Sequence, residues 1–189
     1  MCVRAILLVL KCDIYFQNWA EEKANTPFGC LPVLTEYFED GSKFQLGESH
    51  AIERYLARKF GLLGSNEQEA ALIDSFGEGW SSLINTMAKA RFGSTDAIKE
   101  AAEANFVTIA SEIIQYHEKQ LEKNGNGYYV GSKLSLIDIL AYTTMHLMKI
   151  FGNDTFDNAP VLNKIFETVK NDPIIGAYAC ERLEAYTPN

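Results

Sequence analysis

Basic runs, paired cysteines and long apolar stretches are all missing from this chain of 189 residues. Its 17 Lys and Arg stand against 25 Asp and Glu, a net charge of −8. Binding phosphate backbones or anionic membrane surfaces needs clustered Lys and Arg, so this balance argues against nucleic acid and membrane as partners. Cys2, Cys12, Cys30 and Cys180 are scattered, with no CxxC pair and no metal-like spacing to the histidines. That pattern points to a reduced, intracellular protein and offers no metal site. The apolar run Ala5–Leu10 is too short to cross a bilayer and has no small-residue cleavage site after it, so it reads as folded structure.

What is present is enough for a core. Hydrophobic residues make up 47% of the chain, and a chain of this size can bury one domain or two small ones. The pattern changes near residue 62. Before it, "RAILLVLK" suits a buried helix and "CDIYF" a short strand. "PVLTEYF" and "KFQLG" read as strands joined by a "DGS" hairpin turn. "SHAIERYLARKFG" is a helix with apolar positions at Ile52, Tyr55, Leu56 and Phe60, ended by Gly61. After the polar "GSNEQE" the pattern is helical throughout. Leu72, Ile73, Phe76, Trp80, Leu83, Ile84 and Met87 share one face of a long helix. Ile98, Ala102, Phe106, Ile109, Ile113 and Tyr116 share a face of the next. "LSLIDILAYTTMHLMKIF" is apolar on nearly every side, as a central helix should be. Ser135 with Asp138 resembles a capping box, a stabilising device. "APVLNKIFETVKNDP" is a last amphipathic helix. The fold class is α/β plus all-α: a small unit over 1–61, then a helical unit over 66–189.

The stretch "TPFGCLPVLTEYFEDGSKFQLGESHAIERYLARKFGL" carries the functional signal. Leu31-Pro32 is a candidate cis bond, because X-Pro bonds lose most of their trans preference. Glu48 and Ser49 open a helix, where free N–H groups and the dipole favour an anion. Capping by Ser49 is the plain alternative, worth about 1 kcal/mol. Trp19 and Lys23, four apart, fit equally well as a core and a surface residue of a short helix.

At "TPFGCLPVL" and "LGESHAIERYLARKFGL" the chain resembles a cytosolic glutathione S-transferase, nearest the sigma-type branch. The two motifs, the linker, the helical region and "SLIDILAY" stand in the family's order over most of the chain. The resemblance implies a thioredoxin-like N-terminal domain docked on a helical one, usually as a homodimer. It implies detoxifying conjugation of glutathione, as substrate, to hydrophobic electrophilic small molecules. By the same carry-over, the backbone of Leu31 beside Pro32 pairs with glutathione's cysteinyl unit. Ser49 meets the γ-glutamyl carboxylate and Glu48 its ammonium, while Lys23 and Trp19 meet the glycyl end.

The departures are specific. In the family a first strand and a catalytic Tyr, or Ser, come before the helix that matches "RAILLVLK", so the expected Tyr would precede Met1. The catalytic residue is therefore unassigned, and the activity of the chain as written is expected to be impaired. The connection from "CDIYFQ" to Trp19 is also shorter than the family pattern. Cys30 stands where Gln is usual, and Ser82 where a partner subunit's Asp is usual, with Glu78 one turn earlier as a substitute. Two alternatives follow: a non-catalytic binding or structural module, and a redox protein using Cys30.

Overall fold

The computed structural model describes residues 19–173 and 175–176. The helix expected at "RAILLVLK" and the strand at "CDIYF" lie outside them. Helix α1 (Trp19–Glu22) runs into a 3₁₀ turn over Lys23–Asn25. Thr26 closes that turn by donating its hydroxyl to the Lys23 carbonyl at 2.8 Å. Strands β1 (Val33–Tyr37) and β2 (Lys43–Gly47) pair antiparallel, from Val33 opposite Gly47 to Tyr37 opposite Lys43. The hairpin turn is the expected one. The Asp40 carboxylate accepts from the Ser42 N–H and hydroxyl at 2.9 and 2.6 Å, and Gly41 takes φ 81°. Only glycine adopts that backbone without strain.

Helix α2 (Ser49–Lys59) packs Ile52, Leu56 and Ala57 inward. It is tied to the hairpin through Glu36 of β1, which accepts from the Tyr55 hydroxyl at 2.6 Å and pairs with Lys59. One expectation needs correcting. Phe60, read as part of the apolar face, is 50% exposed at the helix end, and Glu53 is buried instead.

Four helices follow: α3 (Glu67–Phe92), α4 (Asp96–Asn124), α5 (Leu136–Ile150) and α6 (Pro160–Lys170). Helix α5 is the central one, packed between α3 and α6, with twelve of its fifteen residues buried. The long stripes of α3 and α4 meet each other, but not every apolar residue on them is covered. Leu72, Ile98 and Tyr116, all placed on apolar faces from sequence, are exposed. The hairpin unit and the bundle are joined by a backbone hydrogen bond from Leu136 N–H to the Leu62 carbonyl at 2.9 Å.

Candidate functional site

The strand register brings the two sequence motifs together. The ladder ends with Val33 opposite Gly47, so Leu31 and Pro32 lead into this end of the hairpin and Glu48 and Ser49 lead out of it. The Leu31-Pro32 bond is cis, as its type allows. Leu31 is exposed and Pro32 half-buried. The segment ahead of them folds onto the end of β2. A Cβ built on Gly47 would stand 2.8 Å from the Phe28 ring, so this approach requires glycine there. The stem of Lys23 passes 3.7 Å from the Cβ position that Gly29 lacks, which lays Lys23 along the same segment. Trp19 opens α1, and its side chain lies outside the described residues.

Helix α2 begins at Ser49, with Glu48 as its N-cap. The capping alternative for Ser49 is not what the fold uses, and no side chain among the described residues caps this helix start. Glu48 is exposed, at φ 69° and ψ 119°. A side-chain-bearing residue in that left-handed region costs about 1 kcal/mol or more. The result is a helix start with free amide donors, a half-buried hydroxyl, an exposed carboxylate and a lysine on the facing segment. Such a set can hold a zwitterionic ligand with a carboxylate at the helix start.

Behind this start lies a pair that the motif does not flag. His50 Nδ1 stands 2.8 Å from Glu53 Oε2, with the Glu53 side chain 3% exposed and that of His50 41% exposed. The hydrogen bond to Glu53 raises the His50 pKa above its ordinary value; Glu53 and Glu78 charges add to this, and burial and Arg54 oppose it. Only the i, i+3 spacing of His50 and Glu53 could have signalled the pair in advance. Of the other sequence candidates, Cys30 is a half-buried free thiol. Glu78 and Ser82 occupy exposed positions of α3 one turn apart.

The bundle holds a second polar cluster with a different character. His117 is buried among Phe76, Trp80 and Tyr129, and its Nδ1 lies 3.1 Å from the Tyr129 hydroxyl. Burial lowers its pKa to about 4. Asp138 accepts from the Tyr129 N–H at 2.9 Å and from the Ser135 N–H and hydroxyl, both at 2.7 Å. Burial raises its pKa to about 6, against the opposing pull of those donors. Both find their polar partners within the bundle, His117 in Tyr129 and Asp138 in Tyr129 and Ser135.

Comparison with known proteins agrees with this architecture. The family described as "Glutathione S-transferase, C-terminal domain" matches residues 82–182, from the second half of α3 through α6. Probable glutathione S-transferase 6 of Caenorhabditis elegans is 33% identical over 149 residues, covering 75% of this chain and 68% of that protein. S-crystallin SL11 of Nototodarus sloanii is 28% identical over 172 residues, covering 89% of this chain and 82% of that one. Among solved structures, monomeric Na-GST-3, a glutathione S-transferase from the hookworm Necator americanus, is similar with a TM-score of 0.78. It is 27% identical and aligns over 96% of this chain and 90% of its own. The family match over more than half of the chain and the identity to these relatives show that the chain belongs to the glutathione S-transferase family.

Proposed function

We propose that this chain binds glutathione at the start of α2 and joins its thiol to hydrophobic electrophilic small molecules, the family's reaction. The observation that carries the reading is the N-terminus of α2, uncapped among the described residues, at the same end of the hairpin as Leu31 and Pro32. In this reading Ser49 and the first-turn N–H groups hold the γ-glutamyl carboxylate, and Glu48 takes the neighbouring ammonium. The backbone of Leu31, at the Pro32 turn, pairs with the cysteinyl unit. Lys23 and Trp19 meet the glycyl carboxylate. Residues 1–61 form the glutathione-binding unit and 66–189 the helical unit. A cytoplasmic homodimer is the proposed working form, and light scattering of the purified protein tests the dimer.

Calorimetry with glutathione tests the site. Ser49→Ala removes one charge-assisted hydrogen bond, worth about 1.5 kcal/mol or more, so affinity should fall by about tenfold. Unchanged affinity would place the ligand elsewhere. The similarity to a protein named a crystallin favours a second reading, a binding or structural module without turnover. Glutathione binding with no conjugation of a simple aromatic electrophile at any pH would select it.

A further inference from the structure

Helix α2 buries a carboxylate one turn below the residues that would hold the ligand. Glu53 is 2% exposed. Its Oε2 meets His50 Nδ1 at 2.8 Å, and its Oε1 is buried without a hydrogen-bond partner among the described residues. The two residues line a cleft between α2 and α3, floored by Leu136 and Leu140 of α5. The charged groups facing them there are Arg54 of α2 and Asp74 and Glu78 of α3.

An uncompensated buried carboxylate is costly, several kcal/mol even after relaxation. Glu53 meets that cost through His50, and His50 compensates it only while it carries a proton. With the proton on, the buried pair is neutral overall and its cationic end lies one residue from Ser49. With the proton gone, a bare carboxylate remains within one turn of a site for a carboxylate ligand, where it repels that ligand.

We propose that Glu53 and His50 are positioning residues for glutathione: the buried Glu53 carboxylate holds a protonated His50 against the first turn of α2, fixing the Ser49 turn and cancelling a negative charge beneath it. The inference rests on the glutathione site proposed above. It fixes the sign of a pH dependence. Affinity is highest while His50 is protonated and falls as pH rises through its titration. Thiol ionisation, which favours chemistry, runs the other way. His50 is the one imidazole lining this cleft among the described residues.

The test is calorimetry with S-methylglutathione, whose capped sulfur removes thiol ionisation from the measurement. Binding is followed from about pH 6 to about pH 9, the range spanning imidazole titration. The natural chain should lose about tenfold in affinity, the effect of a ligand that raises the imidazole pKa by about one. Glu53→Gln and His50→Gln should each flatten the profile to within about twofold, and the double variant should be no flatter than either. Glu53→Leu, which fills the buried position without a charge, gives the same reading if the amide variant folds poorly. A flat profile in the natural chain, or one that persists in both single variants, overturns the inference. If Ser49→Ala weakens binding while the natural profile is flat, the glutathione site stands and only the positioning role falls. If Ser49→Ala changes nothing, the site reading fails and this inference falls with it.

Discussion

Helices α3 and α4 open on side chains that close their first turns. Asn66 accepts from the Glu69 N–H at 2.9 Å and Thr95 from the Ile98 N–H at 3.3 Å. Helix α5 opens on the Ser135–Asp138 capping box. Helix α6 borrows a cap from another helix: Glu118 of α4 accepts from the Val161 and Leu162 N–H groups at 2.7 and 3.1 Å. Helix α2 opens on Glu48 at positive φ, with no capping side chain among the described residues. Each bundle helix thus starts on a side chain that accepts from its first turn, and the start of α2 does not among the described residues. Caps are worth about 1 kcal/mol each, so the contrast separates the part of the molecule built for stability from the part left open to a ligand.

The contrast can be broken hardest at Asp138. Its carboxylate accepts three hydrogen bonds and is fully buried. Asp138→Ala strands the Tyr129 and Ser135 donors, a loss of about 3 to 5 kcal/mol. Urea unfolding should show that loss, while the glutathione affinity of the folded fraction stays within about twofold. An equal loss of affinity and stability would mean that the bundle and the α2 start are one cooperative unit, and the separation would fail.

Legibility in the sequence divides along the same line. Local signals were readable: "DGS" for the turn, "KFQLG" for β2 and Ser135 with Asp138 for the box. Each depends on residues within a few positions of one another. The family motifs pointed to Leu31, Pro32, Glu48 and Ser49, and the register gathers them at one end of the hairpin. Long-range arrangements were not readable. Glu118 caps a helix 43 residues ahead of it, and no local pattern announces that. Glu53 and His117 are buried where periodicity counts a polar residue as outward-facing. Leu72, Ile98 and Tyr116 erred the other way: each is exposed although Ile73, Ala102 and His117 near them on the same helices are buried.

A second measurement sharpens the comparison inside the bundle. His117 has its pKa lowered from 6.5 to about 4. The unfolded chain therefore holds a proton there that the fold refuses, and stability drops as pH falls from 6.5 toward 4. Asp138 has its pKa raised from 3.8 to about 6, which gives the opposite sign: its contribution is complete below 3.8 and is lost as pH rises through 6. A tenfold change in proton affinity is worth about 1.36 kcal/mol. Each group therefore contributes about 3 kcal/mol, and between pH 4 and 6 the two nearly cancel. Urea unfolding across that range should separate them. Relative to the natural chain, His117→Gln should become more stable toward acid, and Asp138→Asn should become less stable toward acid. If neither variant changes the slope, these two groups do not set the acid response of the bundle.

The smallest expected effect makes the most direct statement about the α2 start. Glu48 sits at φ 69°, a region that glycine occupies without penalty and glutamate does not. Its side chain is exposed, so little packing is lost when it is removed. Glu48→Gly should therefore change stability by a gain of about 0.5 to 1 kcal/mol, the relieved strain less the added freedom of the unfolded chain. The same change deletes the carboxylate proposed to take the ligand's ammonium, so affinity for glutathione should fall severalfold. Glu48→Ala keeps the strain and loses the carboxylate, so it should lose the same affinity with no gain in stability. If Glu48→Gly is more stable and also binds glutathione as tightly as the natural chain, the strained carboxylate serves no ligand. If it is less stable, Glu48 holds the turn in place, and the start of α2 belongs with the capped helices after all.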